Sequence, residues 1–579
     1  MKGADLGAPR RLMVLAVATV VMLEACAPEP GPGVRGAAPD ALPAVPSTPK
    51  ILRIGMGREP DDFLGPLSSV RTALYRIADA GLTSPGATGE TLPILAAEIP
   101  SVDQGTWKIF PDNTMEVTWK LRPNARWQDG QPMTSDDVLF FFEYLMHPQT
   151  VLNRLVWAPL IDQVTAPDDQ TIVVTFKSIH NQGNVGHAIS NPLIRAMPRH
   201  ILGGAFAAGD VDAVSGSAHW REEFIGLGPY KLVRWERGTR MEFTRFDDYV
   251  LGRPPLDRII LGFYPDANVL VTNLLADELD LIWQGSLTAE QSAELSRRWE
   301  GTGNQVLTGP SGDIRHLMAQ LRPSVDVKPA ALRDRAVRQA LLRTIDREGA
   351  AKVVNLGFAA VPDTYIPPED PRRQNSAIRD GILVYPYDPA RAQRELEVLG
   401  WRKGGDGILV NQSGERFEFE VQGSSGPETP LLAVIADSLK STGVVANSNL
   451  APAQLTDRSY PSLSTGMLFG SNDMRSFEGN RFDSRQITSA ESRWAGQNTA
   501  GYSNPQYDAL QDRIKVTLRA DERLPIDAEI QRIVLTDLPT MMIAWNLTSV
   551  PFTARVKNIP TPSALTPGGW NLWEWDLTR

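Results

Sequence analysis

Cysteine is almost absent from this chain: Cys26 is the only one in 579 residues. A single thiol makes no intramolecular disulfide and leaves no thiolate cluster for structural zinc or an iron–sulfur centre. A basic excess is missing as well. The formal net charge is −10, which counts against nucleic acid as a partner, because phosphate contacts need a basic face. Beyond the first 26 residues no stretch approaches the ~18 continuous apolar residues of a membrane-spanning helix. Local catalytic signatures are lacking too: there is no Walker-type phosphate loop, HExxH, CxxC or G-x-S-x-G elbow. The six histidines (His147, His180, His187, His200, His219, His316) form no i, i+4 pair, so no local zinc motif is present. Asp61-Asp62 and Asp136-Asp137 are adjacent carboxylates, but in a loop and at a helix start such pairs are solvated or capping. These absences predict a protein that is not an enzyme and that carries no cofactor and no metal.

What is present fits a globular, multi-domain chain. It is 42% hydrophobic with 47 Gly and 45 Pro, and its length exceeds what one core organises, so two or three domains are expected. Fourteen tryptophans are enough both to fill cores and to line a cleft, since indole stacks well on rings and apolar ligands. At the amino terminus Lys2, Arg10 and Arg11 precede the apolar run Leu12–Leu23, which is shorter than the ~20 residues that cross a bilayer and reads as an export signal. Leu23-Glu24-Ala25-Cys26 resembles a lipobox, in which the cysteine is lipidated and becomes the first mature residue. Glu24 is unusual there, and an ordinary secretory signal with an incidental cysteine is the other reading. Residues 27 to about 50 are rich in Pro, Ala and Gly, the composition of an extended tether. Residues 1–25 are thus expected to be a signal peptide, and 26–50 a lipid-anchored tether holding the body at a membrane surface.

From Ile51 onward strand-like and helix-like segments alternate. ILRIGM (51–56) reads as a buried strand. Met115, Val117, Trp119 and Leu121 alternate with polar residues, the period of a half-buried strand. Asp129-Gly130 is a turn signal, and Thr134 three residues before Asp137 is a capping box opening the helix DDVLFFFEYLM. QTIVVTFK (170–177) and TRMEFTRF (239–246) are further strands. Val337, Leu341 and Ile345, with Ala336 and Ala340, make an apolar stripe at helical spacing. In YDPARAQRELEVLGW, Asp388 is placed as N-cap, Pro389 as the first helical residue and Gly400 as terminator, with Ala392, Leu396 and Leu399 buried. The class is mixed α/β.

Several of these segments, in order, resemble the bacterial extracytoplasmic solute-binding proteins of family 5, the peptide, dipeptide and nickel-type receptors of ABC importers. MEVTWKLRPNARWQDGQPMTSDDVLFFFEYL (115–145) is similar to that family's run of strand, L-R-P, aromatic, D-G, P-hydroxyl and aromatic helix. FIGLGPYKLVRWERG (224–238), ADELDLIW (276–283), LRDRAVRQALLRTIDRE (332–348), GFAAVPDTYIPP, YPYDPARAQRELEVLGW, SNPQYDALQDRI and IQRIVLTDLPTMMIAWN (530–546) continue the series. The resemblance implies a two-lobed α/β fold, periplasmic-binding-protein-like of type II with an extra small domain, closing on ligand by a hinge. Mapped onto this chain, lobe one holds 51–65, 185–285 and 546–579; the small domain is 66–184; lobe two is 286–545. The chain then crosses between lobes near 284–320 and again near 540–550.

Most of the shared motifs are turn and cap chemistry and say little about the ligand. In the peptide receptors an aromatic and an acidic residue late in lobe two hold the ligand. The comparable stretch here, GMLFGSNDMRSFEG (466–479), lacks the usual tryptophan and Asp-Pro pair and offers Phe469, Asn472 and Asp473. Topology adds Arg58, Glu59 and Asp61 after the first strand, Trp283 at the end of lobe one, and Trp545 and Asn546 at the return crossing. The tryptophans would stack on a ligand while Asp473 or Arg58 fixes its charge; hinge packing is the alternative for both. The function implied is capture of a small solute, peptide or peptide-like, by a monomeric receptor outside the cytoplasmic membrane, and its delivery to ABC permease subunits. An anchored extracytoplasmic hydrolase, and a ligand sensor or chaperone on the same fold, are the alternatives. Peptide, nickel chelate, opine and sugar all stay open as ligands, because fold does not fix function.

Overall fold

The expected strand Ile51–Met56 forms an interior strand of a ten-stranded sheet, and its alternating apolar residues explain why: Leu52 and Ile54 have no solvent contact. The structure is a computed structural model that describes residues 48–578, apart from 65–68, 151–159, 186–194, 356–360, 425–428, 453–456, 458 and 567. The signal, the lipobox with Cys26 and nearly all of the tether lie outside the described residues. The strand order across the sheet is 445–451, 418–424, 467–473, 305–319, 540–552, 281–282, 51–56, 258–263, 240–245 and 230–236. Both ends contain parallel pairs, 51–56 with 258–263 and 418–424 with 445–451. In the centre, two long strands, Gln305–Ala319 and Thr540–Phe552, run antiparallel to each other.

Those two strands connect distinct cores. At one end Leu307, Val550 and Phe552 pack with the apolar faces of 51–56 and 230–263. At the other end Leu317, Met541, Ile543 and Ala544 pack with Phe417, Phe419 and the helices Arg335–Thr344 and Thr429–Ser441. A third cluster built on Phe477, Phe482, Tyr502 and Tyr507 takes Ile314, Met542 and Trp545 from the same strands. The pairing is broken where the strands pass from one core to the other: the register shifts between Pro310 and Ile314 and again between Arg315 and His316. Such bulges bend a strand and re-aim its side chains. Gly312 sits in the first of them at φ +95°, a conformation that suits glycine because it has no Cβ.

A separate four-stranded antiparallel sheet, ordered 107–109, 115–120, 171–176, 161–168, is backed by the helix Ser135–Met146. The Thr134–Asp137 capping box forms as the sequence indicates, and Asp137 also accepts from the Trp127 indole N–H at 3.1 Å. The residues of this sheet share one core with the 51–56 end of the large sheet. One helix departs from the sequence reading. The stripe through Val337, Leu341 and Ile345 is buried, but the helix ends at Thr344. Ile345 is extended, and Asp346 caps a second helix, Arg347–Val354, by accepting from Gly349 N at 2.8 Å. The carboxylate's competition for backbone N–H groups ends one helix and starts the next. No described helix is long and apolar enough to cross a membrane.

Candidate functional site

The bulged centre of the sheet gathers polar side chains on three neighbouring strands. Register places Asp313 opposite Asp473, Ile314 opposite Asn472, and Arg315 opposite Ser471, while Ile314 also faces Trp545. Directly opposed residues of an antiparallel pair project to the same face, so hydrogen bonds run across the strands. Arg315 Nε donates to Asn546 Oδ1, and Asn546 Nδ2 donates to Ser471 Oγ at 2.8 Å. His316 Nε2 donates to Asn472 Oδ1 at 2.7 Å. Asp473 caps the short helix Met474–Glu478 by accepting from Arg475 N at 2.8 Å, and its other oxygen lies 3.5 Å from Arg475 Nη1.

The electrostatics of this ladder follow from burial. His316 has no solvent contact, and desolvation, with the positive charge of Arg481 added, pushes its pKa down to about 3; the Asn472 bond opposes this only in part. The imidazole is neutral at physiological pH. Burial, then the negative charge of Asp473, raises the Asp313 pKa, with Arg475 acting in the other direction.

Against the ladder lies the segment 559–566 near the carboxyl terminus. Pro562 passes close enough to Gly309 that a Cβ there would meet the Pro562 carbonyl, and Ala564 lies over Gly312. Arg475 Nη2 donates to Leu565 O at 3.3 Å, and Glu369 Oε1 accepts from both Ser563 Oγ and Ala564 N. The loop therefore touches the crossing strands and the third core together. Its other side walls a small pocket, partly open to solvent, lined among others by Trp283, Gln284, Thr566, Gly569, Trp570 and Trp575. Trp283 and Trp575 are 6.0 Å apart between ring centroids. Trp575 donates to Asn571 Oδ1, whereas the buried indole N–H of Trp283 has no acceptor among the described residues. Gly569, at φ +71°, lets the backbone close on the indole: a Cβ there would stand 2.7 Å from Trp283 Cη2.

The predicted site residues separate into three groups. Asn472, Asp473 and Asn546 meet in the ladder. Trp545 is adjacent but is buried in the third core, its carbonyl accepting from Asn355 Nδ2 at 3.2 Å; Phe469, opposite Leu317, is buried in the second core. Trp283 lines the pocket across the loop. The third group is held elsewhere. Glu59 accepts from the Trp235 indole at 2.7 Å and from Gly238 N at 2.9 Å, and the Asp61 carbonyl accepts from Arg237. These bonds pin the loop after the first strand to the hairpin 230–245, leaving Arg58 exposed. The sequence reading missed Asp313, Arg315, His316, Ser471, Arg475 and the segment 559–566. Among the described residues no group of three or more His, Cys, Asp or Glu is placed to hold a metal.

Comparison with known proteins sets this geometry in context. The profile of the bacterial extracellular solute-binding proteins, family 5 Middle, matches residues 99–489. The oligopeptide-binding protein AppA of Bacillus subtilis is 26% identical over 343 residues, which are 58% of this chain and 59% of that protein. The chain spans about half to three fifths of the length of the first curated relatives it matches. Among solved structures, NikZ from Campylobacter jejuni in complex with Ni(L-His) superposes with a TM-score of 0.66 at 21% identity, covering 91% of this chain and 100% of that one. The oligopeptide-binding protein from Thermus thermophilus, complexed with a pentapeptide, gives 0.65 at 22% identity, covering 91% and 96%. At these identities the superpositions speak to the fold.

Proposed function

Since this chain belongs to the bacterial extracellular solute-binding proteins of family 5, we propose that it is the substrate-binding component of an ABC importer, taking a peptide or peptide-like solute outside the cytoplasmic membrane and handing it to the permease. The observation that carries this reading is the pair of crossing strands, Gln305–Ala319 and Thr540–Phe552, which join separate cores and lose regular pairing where the polar ladder sits. A hinge needs two covalent crossings with a deformable middle, and a receptor needs its polar contacts at that middle. The lobes are taken as 51–65, 185–285 and 546–579 against 286–545, with 66–184 as the small domain on lobe one. Cys26 is taken as the lipidated residue and 27–50 as its tether. Affinity then comes from enclosure between lobes, and a closed complex presents the permease with a surface the open form lacks. Oligopeptide-binding relatives support a peptide-like solute, and the neutral Asn472–His316 and Asn546–Ser471 pairs are groups that hydrogen-bond amides.

Native mass spectrometry on residues 27–579 as purified, followed by denaturation, tests the reading. A bound mass released intact is expected. Steady turnover of a peptide abolished by one substitution would replace the receptor with a hydrolase, and normal uptake in a deletion strain would replace it with a sensor or chaperone.

A further inference from the structure

Five arginines are buried among the described residues: Arg195, Arg322, Arg338, Arg347 and Arg481. Four of them have partners. Arg195 bonds Tyr75 Oη and faces Asp79; Arg322 donates to the carbonyls of Ser462, Thr488 and Asn498; Arg338 donates to those of Leu332, Arg333, Asp537 and Leu538; Arg347 donates to Pro362 O and Tyr385 O and pairs with Asp363 at 3.2 Å. Arg481 is the exception. It is 8% exposed, its Nε is sealed without an acceptor, and no described carboxylate or carbonyl accepts from the rest of its guanidinium. Burial alone lowers its pKa, to about 10, with no acid opposing the shift.

An uncompensated buried cation is unfavourable, and buried charges are ordinarily paired. What surrounds Arg481 is a partial site. Its guanidinium lies 5.6 Å from the Phe477 ring centroid, a cation–π contact that supports the charge without neutralising it. Phe477 meets His316 edge-on at 5.4 Å, and His316 bonds Asn472 in the ladder. The Nδ1 of His316 is a second buried polar atom with no partner among the described residues. Two orphaned groups, one cationic and one a neutral imidazole, thus stand behind the same rung of the ladder.

We propose that Arg481 is the anion anchor of the binding site: it pairs with a carboxylate carried by the captured solute. The guanidinium fork matches a carboxylate bidentately, and the ladder beside it supplies neutral hydrogen-bonding groups for the atoms that follow. The assignment rests on the receptor reading insofar as the carboxylate belongs to a captured solute.

The test compares the protein with its Arg481→Met variant. Removing a buried charge that no protein group balances is expected to raise the melting temperature of the ligand-free protein by roughly 1–3 °C, whereas loss of a merely structural arginine lowers it. In titrations with trialanine and trialaninamide, the unsubstituted protein is expected to prefer the free acid roughly 10- to 100-fold, and Arg481→Met to bind both alike. Inorganic phosphate, against chloride of equal ionic strength, should stabilise the unsubstituted protein and not the variant. A lowered melting temperature in the variant, retained preference for the acid, or an equal phosphate response in both proteins overturns the proposal. If neither peptide binds, the peptide reading fails while phosphate and the melting temperature still decide the role of Arg481.

Discussion

If the first core swings against the second and third about the crossing strands, contacts that join the two sides elsewhere must break on opening, and the structure contains such a set. The helix Pro505–Val516, in the third core, ends at Thr517, whose N–H donates to Ile514 O at 3.2 Å, and its last carbonyls have lone pairs left for donors from outside the helix. Asn181, from the segment after the four-stranded sheet, supplies donors: its Nδ2 donates to Ile514 O at 2.8 Å and its backbone N to Lys515 O at 2.8 Å. Beside it Arg519 pairs with Asp103 at 2.9 Å, an exposed contact that salt screens. Asn181→Ala deletes one side-chain bond and leaves the backbone bond in place. A single hydrogen bond is worth about 1 kcal/mol net, so closure should weaken about fivefold. If ligand is held only by the closed form, affinity falls by the same factor. Calorimetric titration with the solute identified by native mass spectrometry measures the affinity, and small-angle scattering with and without that solute measures the change in radius of gyration. Asp103→Ala should give a smaller loss that vanishes at high salt. An unchanged affinity and an unchanged scattering profile in a folded Asn181→Ala protein would refute the idea that this rim contact forms on closure.

Two further predictions concern stability. His219 is buried against Trp220 and Phe224 with neither ring nitrogen partnered among the described residues, and desolvation, with Arg195 and His200 adding to it, pushes its pKa down to about 3. Between the unfolded value of about 6.5 and about 3 the unfolded chain binds the extra proton, so His219 removes stability as pH falls through that window. His219→Phe should therefore gain on the unsubstituted protein by about 1–2 kcal/mol more at pH 5 than at pH 7 in urea melts; equal gains would show that the ring takes up its proton as readily in the fold as in the unfolded chain. Gly569→Ala places a Cβ 2.7 Å from Trp283 at φ +71° and should destabilise by about 1–3 kcal/mol, with a shift in tryptophan fluorescence; an unaltered melt and spectrum would mean the loop is not closed on the indole.

Much of this protein is determined locally. The strands at 51–56, 115–120, 171–176 and 240–245, the capping box at Thr134 and the helix opened by Asp388-Pro389 follow from side-chain period and cap chemistry, which act over a few residues. The family is likewise legible, because its motifs are turns and caps fixed by Gly, Pro and Asp. The site is another matter. Gln305–Ala319 contains Gly309, Pro310, Ser311 and Gly312, residues with no strand period, and it is nonetheless a fifteen-residue strand. Its breakers fall in the bulge, where strands on both sides hold the backbone extended and no local period is required. Asn472 and His316, or Asn546 and Ser471, become partners only through register between strands more than seventy residues apart in sequence. Phe469 and Trp545 carry the residue types of a binding surface, but burial in two cores decides their role. No pattern marks Arg481: in the sequence it is one arginine among many, and its missing counter-charge is a property of everything packed around it. Short-range chemistry chose the elements and the family, while long-range pairing and burial decided which side chains meet, which are sealed away and which charge is left without a partner.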